Sequence, residues 1–445
     1  MTGGLPRYLS VIGLGFGDCG KGLFTDYLCR TSRAHTVVRF NGGAQAGHNV
    51  VLPDGRHHTF SQFSSGTFIE GVHTVLASPV VIHPTALLVE NDALRSAGVS
   101  DAVRRLLIDA RCRVITPFHQ AAGRLREIVR GDEAHGSCGV GFGEAVKDSL
   151  EHPDESLTYG DLAETASALA KLESVRQRLL DEFRSADMPD QRASDEMRIL
   201  ESGSVSRRWL EIAAALLPLS PPAPAARIAE RLHLPGSVVF EGAQGMLLDE
   251  RWGFHPHTTW SSVGADALDR LSREWDLPEP IVHFGAIRSY LTRHGAGPFP
   301  TRDDALCALA EAHNGSQGWQ GDFRRGHPDA LLLRYALRHA GRIEGLLVSH
   351  LDVFENGRTL KWCAGYETPS GRVRDLSLCG ANSLDQQASL TDLLFSAKPV
   401  YDARAISSAE DYLERLTSAA GIAALFGSYG PVASSVSPLS PSFPR

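Results

Sequence analysis

Four polar side chains stand inside two glycine-rich turns near the start of the chain, and their types suit transfer of a phosphoryl group. In the stretch 8–30, YLSVIGLGFGDCGKGLFTDYLCR, an apolar run leads into Gly15, Gly17, Gly20 and Gly22, and helical spacing resumes at Leu23. That reads as strand, loop and helix. Glycines let backbone N–H groups converge on an anion, and the helix that follows adds the positive end of its dipole. Gly15-x-x-x-x-Gly20-Lys21 matches the first seven positions of a phosphate-binding loop, with Lys21 set to reach terminal phosphates. At the eighth position Gly22 replaces the Ser or Thr whose hydroxyl would hold magnesium. Asp18 compensates, because a carboxylate among phosphate-binding amides can ligate a metal or take a proton from a reacting amine. Taken alone, this loop also fits an ordinary strand-to-helix turn with an incidental Lys and Asp. The second stretch, VVRFNGGAQAGHNVV at 37–51, is another strand running into a Gly-rich turn, and it carries Gln45 and His48.

Loops of this kind need a rigid sheet behind them. Segments 57–68, 74–82 and 106–116 read as strands with turns, alternating with helices over 84–97 and 119–129. The pattern predicts an α/β fold with a large, mostly parallel central sheet flanked by helices, P-loop-like at its first turn. Long amphipathic helices over 162–183 and 194–217 and a proline-rich connector at 218–225 mark 150–235 as a mostly helical insertion. Apolar strands return at 237–240, 281–284 and 346–348, and EGAQG follows the first of them, at the carboxyl end where open α/β sheets bind ligands. Residues 1–433 are expected to form one domain. The last residues, 434–445, are rich in Ser and Pro and are expected to be a disordered tail.

Composition narrows the function. A formal charge of −8 argues against a nucleic-acid-binding surface, so a bound nucleotide would be a small molecule. Seven cysteines without a C-x-x-C pair suit a reducing compartment, and the lack of a leader or of an apolar run long enough to span a bilayer points to a cytoplasmic protein without a membrane partner. His255, His257 and His327 lack the spacing of a zinc site and read as loop residues.

The two glycine-rich stretches, VIGLGFGDCGKG and VVRFNGGAQAGHN, resemble the first two motifs of the adenylosuccinate synthetase family. Similar segments recur in order: GSCGVGFG at 136–143, VFEGAQGMLLD at 239–249, TRHGAGPFPT at 292–301, LVSHLD at 347–352 and SYGP at 428–431. The resemblance implies a ligase that spends a nucleoside triphosphate to phosphorylate a purine carbonyl oxygen, then displaces phosphate with the amine of aspartate. It implies Asp18 as catalytic base, His48 as partner of the migrating phosphoryl group, Lys21 at the β/γ-phosphates and Gln244 at the purine carbonyl. It further implies Mg2+ on Asp18 and the Gly47 carbonyl, and GTP bound through Gly15, Gly17, Gly20, Lys21, Gly22, Asp352, Ser428, Gly430 and Pro431. Acceptor contacts would come from Gln45, Cys138 and Thr259, amino-acid contacts from 322–325, and a homodimer would share its sites.

Several positions depart from the family pattern. His350 replaces a lysine two residues before Asp352, and Val432 replaces an aspartate, which keeps ATP open as the donor. Cys138 replaces a threonine, Gln45 an asparagine, and the arginine a neighbouring subunit lends to the acceptor's phosphate has no counterpart beyond His152. Losing a cationic contact to a phosphate costs about 1.5–3 kcal/mol. Asp322 stands where the family's first aspartate-reading arginine would be, with Arg324 and Arg325 following. These changes favour a divergent paralogue with an altered acceptor or amine. The purine-pathway enzyme itself, a catalytically silent nucleotide-binding homologue and a plain NTPase are the alternatives.

Overall fold

The computed structural model describes residues 5–185, 191–309, 311, 319–377 and 383–440. Its centre is a ten-stranded sheet. In chain order the strands are β1 (Tyr8–Gly13), β2 (Ala34–Arg39), β3 (His73–Leu76), β4 (Leu106–Asp109), β5 (Pro222–Ala223), β6 (Ser237–Glu241), β7 (Val282–Arg288), β8 (Gly345–Ser349), β9 (Ala424–Ser428) and β10 (Val436–Pro438). Across the sheet they run β10-β9-β8-β7-β1-β6-β2-β3-β4-β5. Every pairing is parallel except the last edge, β9 with β10.

β1 sits in the middle because it is apolar on both faces, as a strand covered by helices on each side must be. Leu9 and Val11 join Val37 and Val239 under helix α1 (Lys21–Ser32), which contributes Leu23, Phe24 and Leu28. Tyr8, with Val38, Val238 and Phe240, faces the opposite layer, where helices Ala225–Leu232 and Ala265–Glu274 supply Ile228, Leu232 and Leu268. The period-two alternation thus assigns each strand residue to one layer. A separate core joins helices Pro117–Arg130, Thr165–Phe183, Gln191–Glu201 and Ser204–Ala214.

Four local expectations change. Segment 106–116 is β4 followed by a turn and the two-residue strand Arg113–Val114, because Asp109 turns the chain by accepting from the Arg111 backbone. Segment 194–217 falls into two helices, broken at Ser202-Gly203, where glycine weakens helix propagation. The proline-rich connector contributes β5, an edge position where a missing N–H is tolerated. The tail expected to be disordered over 434–445 is ordered as far as it is described: β10 pairs Val436 with Ser428 and Pro438 with Phe426, and Val436 is buried. Residues 441–445 lie outside the described residues.

Parallel order brings the carboxyl ends of β1, β6, β7 and β8 to one edge of the sheet. The turn after β6 lies directly on the loop after β1: the Leu247 N–H donates to the Gly15 carbonyl at 3.2 Å. A β-carbon on Gly245 would overlap the Gly15 carbonyl oxygen and stand 2.7 Å from the Gly17 nitrogen. Gly245→Ala should therefore cost about 1–3 kcal/mol by overpacking. Urea unfolding checks this, and an unchanged midpoint would mean that the two turns are not in forced contact.

Candidate active site

A cleft of about 750 Å³ opens at that edge. Asp18, Lys21, Gln45, Gly47, His48, Cys138, Gln244 and Thr259 all border it, so residues scattered over most of the chain face one space. The first loop provides Asp18 and Lys21. Gln45 and Gly47 come from the turn after β2, and His48 opens the strand His48–Val51, which pairs antiparallel with His57–Phe60. Gln244 sits in the turn after β6 with φ +64°, a left-handed conformation that a glutamine adopts only when its surroundings enforce it.

The hairpin also explains Gly22. A β-carbon there would lie 2.8 Å from the Asn49 carbonyl oxygen and 3.1 Å from the His48 β-carbon. The space a serine or threonine would need is taken by the strand that delivers His48. Similarly Gly20, at φ +81°, packs against Ser349 of β8, whose hydroxyl donates to the Cys19 carbonyl at 3.3 Å.

Asp18 is held by a buried cation. Arg288, at the end of β7 and 3% exposed, donates through Nη1 to Asp18 Oδ2 at 2.8 Å and through Nη2 to Glu311 Oε1 at 2.7 Å. Burial by itself would raise the Asp18 carboxyl, but the Arg288 guanidinium, with Lys21, outweighs it and holds it below the usual carboxylate range. Asp18 is thus an ionised base. Lys21 Nζ turns back to the Gly17 carbonyl and lies 3.6 Å from Cys19 Sγ.

His48 has a buried partner of its own. Its Nδ1 lies 2.6 Å from Oε1 of Glu241, which closes β6 with no exposure to solvent. Glu241 also accepts from the Ser65 backbone N–H at 3.0 Å and from the Ser65 hydroxyl. Burial opposes its charge, yet His48, Arg39 and Ser65 bring the Glu241 carboxyl down to about 2. Burial drives His48 down to about 4, with Glu241 pulling it upward, so the imidazole is neutral near pH 7. Because Glu241 can only accept, the His48 proton is on Nδ1 and Nε2 is the free nitrogen.

Gln45, Cys138 and Thr259 border one half of the cleft. Both amide atoms of Gln45 are buried without a hydrogen bond, and burial raises the Cys138 thiol, leaving it a neutral, weak donor. Arg126 and Arg130 border this half but are paired with Glu144, Glu182 and Glu127. Lys147, one helix turn beyond the third glycine loop, borders it with no ion pair among the described residues.

Other expected site residues lie elsewhere. Gly15, Gly20 and Gly22 shape the loop from behind the cleft, without lining it. Asp322 is exposed, and Arg324 spends its guanidinium on the carbonyls of Gly295 and Gly297, at 2.7 Å for the latter. Arg325 is in the strand Phe323–Gly326, paired with Thr292. Asp352, whose carboxyl burial raises, begins a short helix outside the cleft, beside Ser428, Gly430 and Pro431: the Leu351 N–H donates to the Ser428 carbonyl at 2.9 Å. The two segments expected to hold the nucleotide base are therefore adjacent, at the ends of β8 and β9.

A magnesium ion that arrives on a triphosphate needs only one or two protein oxygens, and Asp18 and Gly47, the residues the resemblance implies as its ligands, both border the cleft. Among the described residues no group of three or more His, Cys, Asp or Glu could hold a metal without phosphates. Nor is any helix among them long and apolar enough to cross a membrane.

Fold and cleft together define an α/β protein whose first glycine-rich loop, with Asp18 and Lys21, shares one space with the His48 imidazole. The adenylosuccinate synthetase family model matches residues 10–436. The adenylosuccinate synthetase of Neisseria gonorrhoeae is 32% identical over 403 residues, 89% of this chain and 87% of that protein. That of Ectopseudomonas mendocina is 34% identical over 375 residues, 83% of this chain and 82% of its own length. Among solved structures, the fully ligated adenylosuccinate synthetase of Plasmodium falciparum superposes with a TM-score of 0.77 at 19% identity, covering 98% of this chain and all of that one. The cyanophage S-2L succinoaminodeoxyadenylate synthetase, bound to dGMP and to dATP as energy donor, superposes with a TM-score of 0.60 at 16% identity, covering 96% of this chain and 94% of its own. The chain belongs to the adenylosuccinate synthetase family, whose members are C–N ligases that use GTP and Mg2+.

Glu241 and Arg288 escaped the sequence reading, which went to the glycines and to the polar residues between them. Their signal was present. Each is a charge closing a mostly apolar, buried parallel strand, SVVFE and VHFGAIR, where a charge needs a buried partner. Glu241→Gln keeps the shape but loses the anion behind His48. We expect turnover to fall roughly 100-fold or more, as for loss of a transition-state contact, with nucleotide affinity changed less than about threefold. Steady-state kinetics and calorimetry check the pair; an unchanged kcat would remove Glu241 from the reaction.

Proposed function

We propose that this chain is a nucleoside-triphosphate-dependent ligase that phosphorylates a carbonyl oxygen of a purine-like acceptor and replaces it with an amino-acid amine, as a divergent member of its family. The carrying observation is that Asp18, Lys21, His48 and Gln244 border one cleft. Asp18, ionised in place, takes the ring N–H proton as the acceptor's carbonyl oxygen becomes nucleophilic. Lys21 holds the β/γ-phosphates once it leaves the Gly17 carbonyl, and Gln244 orients the carbonyl region of the purine. His48, backed by Glu241, takes up a proton from solvent on Nε2 as negative charge gathers and then donates it in a hydrogen bond to the migrating phosphoryl group. Mg2+, when bound, neutralises charge on the β- and γ-oxygens. Attack by the amine on the activated carbon expels inorganic phosphate, so the products are the nucleoside diphosphate, phosphate and the new C–N adduct.

The nucleotide is GTP by the family's habit and by Asp352, with ATP the alternative. The polar, glycine-rich run 315–328 suggests from its sequence a loop over the site, but its second half is the strand Phe323–Gly326, paired with Leu291–His294, and 315–318 lie outside the described residues. A homodimer follows from the same resemblance, and a cytoplasmic setting from the cysteine usage. Divergence is supported by Asp322 at an arginine position and by Arg324, occupied with backbone carbonyls. The purine-pathway reaction, with IMP and aspartate, is favoured instead by the retained Thr259 and by Lys147, a cation facing the acceptor half of the cleft.

Phosphate release from GTP or ATP should require an acceptor and an amine together, and Asp18→Asn should abolish ligation while nucleotide affinity stays within roughly tenfold, about 1.4 kcal/mol. A phosphate assay with mass-spectrometric adduct detection reads both. Release indifferent to every acceptor and amine would mark an NTPase, and silence across the panel a nucleotide-binding regulator. If Asp322 repels a dicarboxylic amine, Asp322→Arg should raise kcat/KM for aspartate by about tenfold or more, equal to at least about 1.4 kcal/mol; no gain would locate amine selection elsewhere.

A further inference from the structure

Arg288 makes more polar contacts than one anchor requires. Beyond Asp18 and Glu311 it reaches Thr292 Oγ1 at 3.3 Å, the Tyr290 hydroxyl at 3.2 Å and His350 Nε2 at 2.6 Å. A guanidinium has no acceptor, so His350 Nε2 must accept and its proton must lie on Nδ1, which is 3.1 Å from Ser349 Oγ. The imidazole is fixed in turn. His350 has φ +62°, a left-handed backbone for a non-glycine, and its carbonyl accepts from the Ser289 hydroxyl at 2.6 Å. Two residues on is Asp352, and between them Leu351 ties this loop to Ser428. The strand side is equally tight: the Tyr412 hydroxyl donates to the Arg288 carbonyl at 2.9 Å, and Thr292 Oγ1 donates to the Asp18 carbonyl at 3.3 Å.

We propose that Arg288 is a positioning residue that couples the His350–Asp352 loop to the catalytic carboxylate, one arm of a single buried guanidinium on Asp18 and the other on His350. The proposal rests on the nucleotide-base role assigned to that loop. A rigid planar fork transmits displacement from one arm to the other, which a flexible ammonium with a single point of charge does not. A nucleotide base that shifts the loop therefore also shifts Asp18, and base selection is felt at the reacting end of the triphosphate.

A double-mutant cycle on binding tests the link without requiring turnover, so it succeeds or fails independently of the ligase assignment. The probes are the non-hydrolysable imido analogues of GTP and ATP with Mg2+, titrated calorimetrically into the full chain carrying Asp18→Asn, His350→Ala or both. With Arg288 present, the two losses should depart from multiplicative by at least about fivefold for the preferred analogue. With Arg288→Lys they should multiply within about twofold. His350→Gln, whose amide oxygen can still accept from the guanidinium, should leave the cost of Asp18→Asn as it is in the parent, and this arm decides the matter should Arg288→Lys fail to fold. Multiplicative losses with Arg288 in place, coupling that survives Arg288→Lys, a His350→Gln protein that behaves as His350→Ala, or no binding of either analogue would each overturn the proposal.

Discussion

A carboxylate with no access to water has to be satisfied by protein, and the placement of the site follows from how Glu241 is satisfied. At the end of β6 it accepts from Ser65 and from His48, so three segments distant in sequence are pinned to one point. Removing one partner of a buried charge typically costs about 3–5 kcal/mol, because the other is left unpaired in a low-dielectric interior. That penalty holds the hairpin carrying His48 against α1, and Gly22 leaves the room it needs. The departure from a standard phosphate-binding loop is thus a packing requirement of the neighbouring motif.

The same principle acts one strand over. Arg288 at the end of β7 donates to both Asp18 and Glu311, and Arg39 at the end of β2 donates to the Phe63 carbonyl at 3.1 Å. Each of these strands is mostly buried and charged at its carboxyl end. In a parallel sheet those ends coincide, which concentrates buried charge at one edge. The cleft is therefore polar at its floor for a reason built into the topology. The half bordered by Cys138, Gln45 and Thr259 lies on loops whose side chains can change without disturbing the strands.

Two edge elements show how weak local signals become structure. β5 comes from a proline-rich run and β10 from a serine- and proline-rich tail, and neither segment has a core-forming pattern. An edge strand makes hydrogen bonds on one side only, so proline's missing N–H costs little there. The existing sheet supplies the pairing partner that such a segment could not provide for itself.

The sequence by itself determined the α/β class, the glycine-rich loops and the identity of the polar residues between them, because periodicity and loop chemistry are local properties of the chain. It also carried the family resemblance, which rests on ordered motifs. Tertiary structure alone decided that Asp18, His48 and Gln244 share a cleft while Asp322 and Arg324 do not border it. It likewise revealed that Glu241 and Arg288 stand behind the reactive groups. Those are statements about which strand ends meet, and burial then fixes which charges must pair. Sequence spacing does not encode either fact.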